Sequence, residues 1–325
     1  MRFRNLIAIV ILAGCWDISV AQPVPAGDEN IPFLMTFGNK AEPSWGDDDF
    51  SQTFFFLIPE GYNDPVYIRV FDPDVGGEND EINGVFDTET TFEIYGGAGC
   101  YSNPDAIETT PTGNYKSGDL LASKTFGQDS RYDNAWYTFG PFNPTEGEWV
   151  EKWNGRVFKI IIEGTAGDDG NLYRMFLSTE ENENKAVEGA NAFAYEYSFR
   201  MHNNPAEVSH IYPFVDDRTI TVQQSNFDWD NDGLIRVVSV ARKGQLLKVS
   251  GDDNWGQDGF QIVEGEHNTS LDLQLIKSKS PAVRNNNVVI NVRNQYNELL
   301  PFFVIPLGGV PQYKYNIGVR RQASK

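Results

Sequence analysis

"RVFKIIIEGTAGDDGNLYRMFLS", residues 156–178, is the stretch on which the fold turns. Its two apolar runs, 156–163 and 171–178, are rich in branched and aromatic residues and are too short for ordinary helices. A Gly- and Asp-rich segment, 164–170, separates them. That combination predicts two β-strands with an acidic connection.

The same pattern recurs on both sides. Runs at 31–37, 52–58, 66–71, 90–95, 119–126, 135–140 and 191–199 are strand-like and bounded by Gly, Pro, Asn or Asp. Nine short strands predict a β-sandwich over residues 28–205. Residues 200–214, "RMHNNPAEVSHIYPF", interrupt the pattern with polar residues and two prolines and mark an expected boundary. Strand-like runs resume at 218–224, 234–241, 245–251, 259–263, 271–276, 287–293 and 299–305. Seven strands in this space predict an immunoglobulin-like sandwich over 216–325. The expected fold class is all-β, two consecutive antiparallel sandwiches, the first jelly-roll-like. No repeat, low-complexity tract or heptad pattern is visible.

The amino end reads as a leader over residues 1–21. Arg2 and Arg4 precede the apolar stretch Leu6–Gly14, which is far short of the ~20 residues that span a bilayer. Cleavage after Ala21 fits its spacing best. "LAGC", residues 12–15, also resembles the lipobox of bacterial lipoproteins, which leaves lipidation at Cys15 as the alternative. Either way the chain is expected to be exported, secreted or on the outer cell surface, with no transmembrane segment in the mature chain. The other cysteine, Cys100, has no partner for a disulfide once the leader is removed.

The net charge is −20, and −21 without residues 1–21. Such a chain repels nucleic acid and attracts cations. Its carboxylates are concentrated in particular loops. If successive strands run antiparallel, the loops at 38–49, 72–87, 127–134 and 164–170 share one end, and all four carry aspartate close to glycine. Crowded carboxylates raise one another's pKa unless a cation sits among them, and Ca2+ accepts irregular all-oxygen sites. The leading candidates are Asp72, Asp74 and Asp80, with Glu78 beside them, on a loop that Gly76 and Gly77 allow to curl. Asp47, Asp48, Asp168 and Asp169 supply further ligands from neighbouring loops.

A second acidic stretch, "DWDNDG", sets Asp228, Asp230 and Asp232 at alternate positions before Gly233. The spacing resembles the start of an EF-hand loop, but the twelfth position is Ser239 and strand-like sequence follows. Residues 216–307 are more similar to bacterial cadherin-like and immunoglobulin-like modules, in which such a segment precedes a strand of the type "LIRVVSVA". That resemblance implies that Asp228, Asp230 and Asp232 are calcium ligands, with Asp252 or Asp258 contributing. "FFFLIPEGYNDPVYIRVFDPDVGG", residues 54–77, followed by "TTFEIYGG", residues 90–97, sets a strand, Pro-Glu-Gly and a second strand before an acidic loop; residues 53–97 thus resemble the bacterial pre-peptidase C-terminal type of β-sandwich, which implies an accessory module.

Catalytic motifs are scarce. The three histidines, His202, His210 and His267, form no HExxH, and there is no GxSxG. Trp149 and Trp153, close to Glu148 and Glu151, are the candidates for a glycan-binding surface. The sequence therefore favours a non-catalytic calcium-binding protein of adhesion, envelope assembly or glycan binding, with a cell-surface protein or polysaccharide as partner. A polysaccharide-active enzyme using paired carboxylates is the alternative.

Overall fold

The computed structural model describes residues 23–278 and 286–314. The expected leader, with Cys15, lies outside the described residues. Among these the chain is all-β, and its only helices are 3-10 turns of three or four residues. No described helix is long and apolar enough to cross a membrane.

One sheet has eight strands, in spatial order β17 (Trp255–Gln261), β14 (Thr221–Phe227), β20 (Asn287–Asn294), β11 (Glu196–Arg200), β1 (Phe33–Phe37), β9 (Gly170–Ser178), β3 (Val66–Phe71) and β6 (Trp136–Phe142). A second runs β21 (Phe302–Phe303), β10 (Asn191–Ala194), β2 (Ser51–Pro59), β8 (Gly155–Ala166), β4 (Glu89–Gly96) and β5 (Asp119–Phe126), with β7 (Glu148–Val150) paired to β8. A third contains β12 (Val208–Ile211), β19 (Asp272–Lys277), β15 (Gly233–Val238) and β16 (Lys243–Leu247). The short pair β13 (Phe214–Val215) and β18 (Thr269–Ser270) completes the set. All the ladders are antiparallel.

The opening stretch supplies β8 and β9, which lie in different sheets, so its acidic connection arches across the sandwich. β8 is apolar without alternation because both its faces are covered. Phe158, Ile160 and Ile162 enter the main core, Val157 packs with Phe55 and Phe193, and Ile161 packs with Tyr95 and Cys100. Burial of such side chains stabilises by ~1.5–3 kcal/mol each. Gly164 lets β8 pass close to β1, since a Cβ there would meet the Phe37 carbonyl oxygen at 1.8 Å. Cys100 is a packed core residue, its thiol donating to the Val157 carbonyl at 3.3 Å and pushed up to about 12 by burial.

The sixteen expected strands all have counterparts, but one of them, 191–199, is split. Its first part, β10, lies in the second sheet and its continuation, β11, in the first. The expected boundary at 200–214 also contains β12 and the buried Ile211 and Tyr212. The ladders and the core run across it. β20 pairs with β11 on one side and β14 on the other, and one apolar cluster contains Phe54, Ile160 and Tyr197 together with Val237, Leu273 and Ile290. Period-two patterning reports that a segment is a strand, whereas partner choice depends on distant residues.

Candidate metal centres at the acidic rim

Loops that follow alternate strands meet at one end of the sandwich. Lys40 N donates to Gly167 O at 2.9 Å, Asp72 N to Ala135 O at 2.9 Å, Val75 N to Gly127 O at 3.3 Å and Glu81 N to Gly170 O at 2.9 Å. These bonds join the acidic loops after β1, β3, β5 and β8. The mixed loops meet elsewhere, through Glu60 N to Asn154 O at 3.1 Å and Gly97 N to Glu146 O at 2.6 Å.

Asp72, Asp74 and Asp133 form the first rim group, each offering an oxygen within 4.8 Å of the others. Asp72 takes a left-handed backbone, φ 56°, and its Oδ1 accepts from Asn134 N at 2.8 Å. Asp74 is fully buried, and its Oδ2 accepts from Asp129 N at 3.0 Å. Its Oδ1 is buried without a hydrogen-bond partner. Burial first, then the charges of Asp133 and Asp72, push the Asp74 carboxyl up to about 7. Burial likewise raises Asp72. Gly77, at φ +70°, lies where a Cβ would sit 3.1 Å from Asp133 Cγ, so glycine is favoured by its conformation and by the close approach of that side chain.

Two expected ligands of this loop stand outside the group. Asp80 uses Oδ2 to accept from Gly76 N and Oδ1 to accept from Leu172 N, both at 2.7 Å, bracing the loop against β9. Burial raises its pKa. Glu78 is exposed and outside the group.

Asp87, Asp168 and Asp169 form the second rim group. Asp169 is a buried clamp: Oδ1 accepts from Asn83 N at 2.8 Å, and Oδ2 from Asp87 N at 2.7 Å and Thr88 N at 3.2 Å. Asp168 Oδ2 accepts from Asn83 Nδ2 at 2.8 Å. Both expected residues are thus in one group, with Asp87 added.

The third group is Asp47, Asp48 and Asp49, beside Glu196 at the start of β11. Asp47 accepts from Phe37 N at 2.8 Å and Phe50 N at 2.9 Å. Desolvation pushes Asp47 up to about 7 and Asp48 up to about 6. Burial and then the Asp48 and Asp49 charges raise Glu196, which accepts from Asn291 Nδ2 at 2.6 Å. Asp49 belongs to the same acidic loop as Asp47 and Asp48, whereas Glu196 carried no local sequence signal as a candidate; the split of the 191–199 run is what brings it here.

The fourth group lies away from the rim loops and unites Asp228, Asp230 and Asp252. Asp228 and Asp230 have left-handed backbones, φ 54° and 52°, which curl the segment back on itself. Asp228 Oδ1 accepts from Asp253 N at 2.8 Å. Burial, then Asp252 and Asp232, raise Asp230. Asp232 is outside this group: its Oδ2 lies 3.0 Å from Lys277 Nζ on β19. Asp258 accepts from Lys248 N at 3.1 Å and Gly259 N at 2.8 Å.

Trp149 is 43% exposed, with the Arg156 guanidinium 5.9 Å from its ring centroid. Trp153 instead packs among Phe193, Phe214 and Phe303, at centroid separations of 6.1, 6.0 and 5.0 Å, and its Nε1 donates to the Tyr101 hydroxyl at 3.2 Å. The two tryptophans do not share one open surface.

Among the described residues, four groups of aspartates therefore bring carboxylate oxygens within 4.8 Å of one another, close enough to share one metal ion. No protein-family model and no curated protein matches the chain.

Proposed function

We propose that the chain is a non-catalytic, exported calcium-binding β-sandwich protein whose cation-stiffened loops present a surface to a cell-surface protein or polysaccharide. The carrying observation is the convergence of acidic loops into carboxylate groups with oxygens within 4.8 Å of one another. Oxygens ligating one Ca2+ at ~2.4 Å fall within that mutual distance, and the ion accepts six to eight of them. Without a cation these carboxylates are desolvated and mutually repelling. The spacing of Asp228 and Asp230 before a strand, similar to cadherin-like modules, agrees with this reading. The exposed ring of Trp149 is the part of the surface suited to stacking on a sugar.

The test is calorimetric calcium titration of the purified protein, with thermal unfolding in calcium and in chelator. A whole-number stoichiometry and a calcium-dependent rise in Tm are expected. No binding at millimolar calcium sinks the reading and directs attention to glycan hydrolysis by the paired carboxylates.

A further inference from the structure

We propose that Asp72, Asp74 and Asp133 form a calcium site that latches the 127–134 loop onto the 72–80 loop, with Asp133 as the ligand on which the latch depends. This rests on the calcium reading above and names the ligands and the regulated element of one of its sites.

The observation beyond clustering is Asp74. A carboxylate that is completely buried, with one oxygen lacking any donor, is costly unless something positive completes it. The nearby guanidinium, Arg174, acts on Asp72 and is stacked 4.4 Å from the Phe71 ring centroid, and among the described residues Asp74 has no ion pair with a basic side chain. Asp133 lies within hydrogen-bonding reach of Asp74 and, when both are ionised, adds a further negative charge. Repulsion of this kind between a buried carboxylate and a half-buried one from another loop identifies a place for a cation.

The ligand set selects the ion. It contains oxygen only, without the His or Cys that favour zinc. Its three carboxylates come from irregular loops, which suits the flexible coordination of Ca2+ better than the strict octahedron of Mg2+. Asp74 Oδ2 and Asp133 Oδ1 flank the backbone at Gly76, each 3.5 Å from where a Cβ would stand, and Gly77, at φ +70°, turns the chain beside Asp133.

The same residues bind the loops to each other. Asp74 accepts from Asp129 N at 3.0 Å, Asp72 from Asn134 N at 2.8 Å, and Val75 N donates to Gly127 O at 3.3 Å. A cation among them neutralises the repulsion that would part the loops. Asp133, half-buried and free of any backbone-bracing bond among those described, is the ligand whose loss affects binding more than folding.

Arg131 supplies the readout. It lies in the latched loop with its side chain 79% exposed, so trypsin cleavage after it reports loop opening. In wild type, cleavage should slow about tenfold when free calcium is raised from zero to ten times its dissociation constant. Asp133→Asn should lose one equivalent of calcium and cleave rapidly in both conditions; Asp74→Asn should behave alike. Asp230→Ala should keep the calcium protection at Arg131. If both rim variants bind as many ions as wild type and retain protection, the latch is overturned while the calcium reading stands. If wild type binds no calcium, both fall.

Discussion

Lys277 Nζ lies 3.0 Å from Asp232 Oδ2, and the two side chains are only 3% and 5% exposed. Desolvated charges of this kind are held by each other, and removing one leaves the other uncompensated. Lys277→Met should destabilise the fold by ~3–5 kcal/mol in denaturant titration. The loss should persist in chelator as well as in calcium, because Asp232 stands outside the nearby carboxylate group. A loss confined to calcium would return Asp232 to the ligand set.

Asp230 should behave in the opposite way. It shares its group with Asp228 and Asp252, and its bonds to the fold are few. Asp230→Ala should lower Tm in calcium and have little effect in chelator, since a ligand bound only to the folded state stabilises it by RT ln(1 + [L]/Kd). Equal destabilisation in both would remove the cation from this segment.

Glu29 gives a pH prediction independent of metal. It is fully buried, its Oε2 accepts from Ala26 N at 2.6 Å, and burial pushes its carboxyl from the usual 4.5 up to about 8. The folded state therefore holds this proton more tightly than the unfolded state. Between about pH 4.5 and 8 the unfolded chain gains stability by ionising while the folded chain does not, so the group's contribution favours folding at the acid end and is lost as pH rises. Glu29→Gln should flatten the pH dependence of unfolding free energy over that window. An unchanged slope would show that Glu29 titrates normally.

Gly164 tests the crossing of β8 and β1. A Cβ there meets backbone, the Phe37 carbonyl oxygen at 1.8 Å, which cannot move without displacing a strand. Gly164→Ala should cost ~3 kcal/mol. Gly127→Ala is the control, because its nearest neighbours stand 3.8 Å away, and it should change stability by less than ~0.5 kcal/mol in the same denaturant series.

The strands and the acidic end were legible because both depend on local pattern. Alternation at 52–58 or unbroken apolarity at 156–163 marks a strand whatever it pairs with, and antiparallel order then sends alternate loops to one end. That order placed Asp72, Asp74, Asp168 and Asp169 at the rim, where the structure gathers them into groups. Glu78 lies outside the group because loop curvature, which decides the direction of each side chain, has no sequence period. Asp133 and Glu196 were missed because their partners are supplied by other loops. Asp232 lies outside the group for the same reason: Lys277, which pairs with it, belongs to a strand that the motif does not include. Resemblance to a calcium module treats its three aspartates alike, whereas the backbone turns of Asp228 and Asp230 leave the third facing elsewhere.

The position of β20 has a consequence for biosynthesis. Its residues, Asn287–Asn294, are the penultimate strand of the described chain, yet they lie between β11 and β14 in the middle of the largest sheet. Until they emerge, β11 presents an unpaired edge and β14 has only β17 beside it. Such a sheet closes late, through contacts distant in sequence, which slows folding and exposes a template for misassociation. A chain stopped at residue 278 therefore lacks its central seam, and a holdase that covers the β11 edge is the assistance this topology calls for.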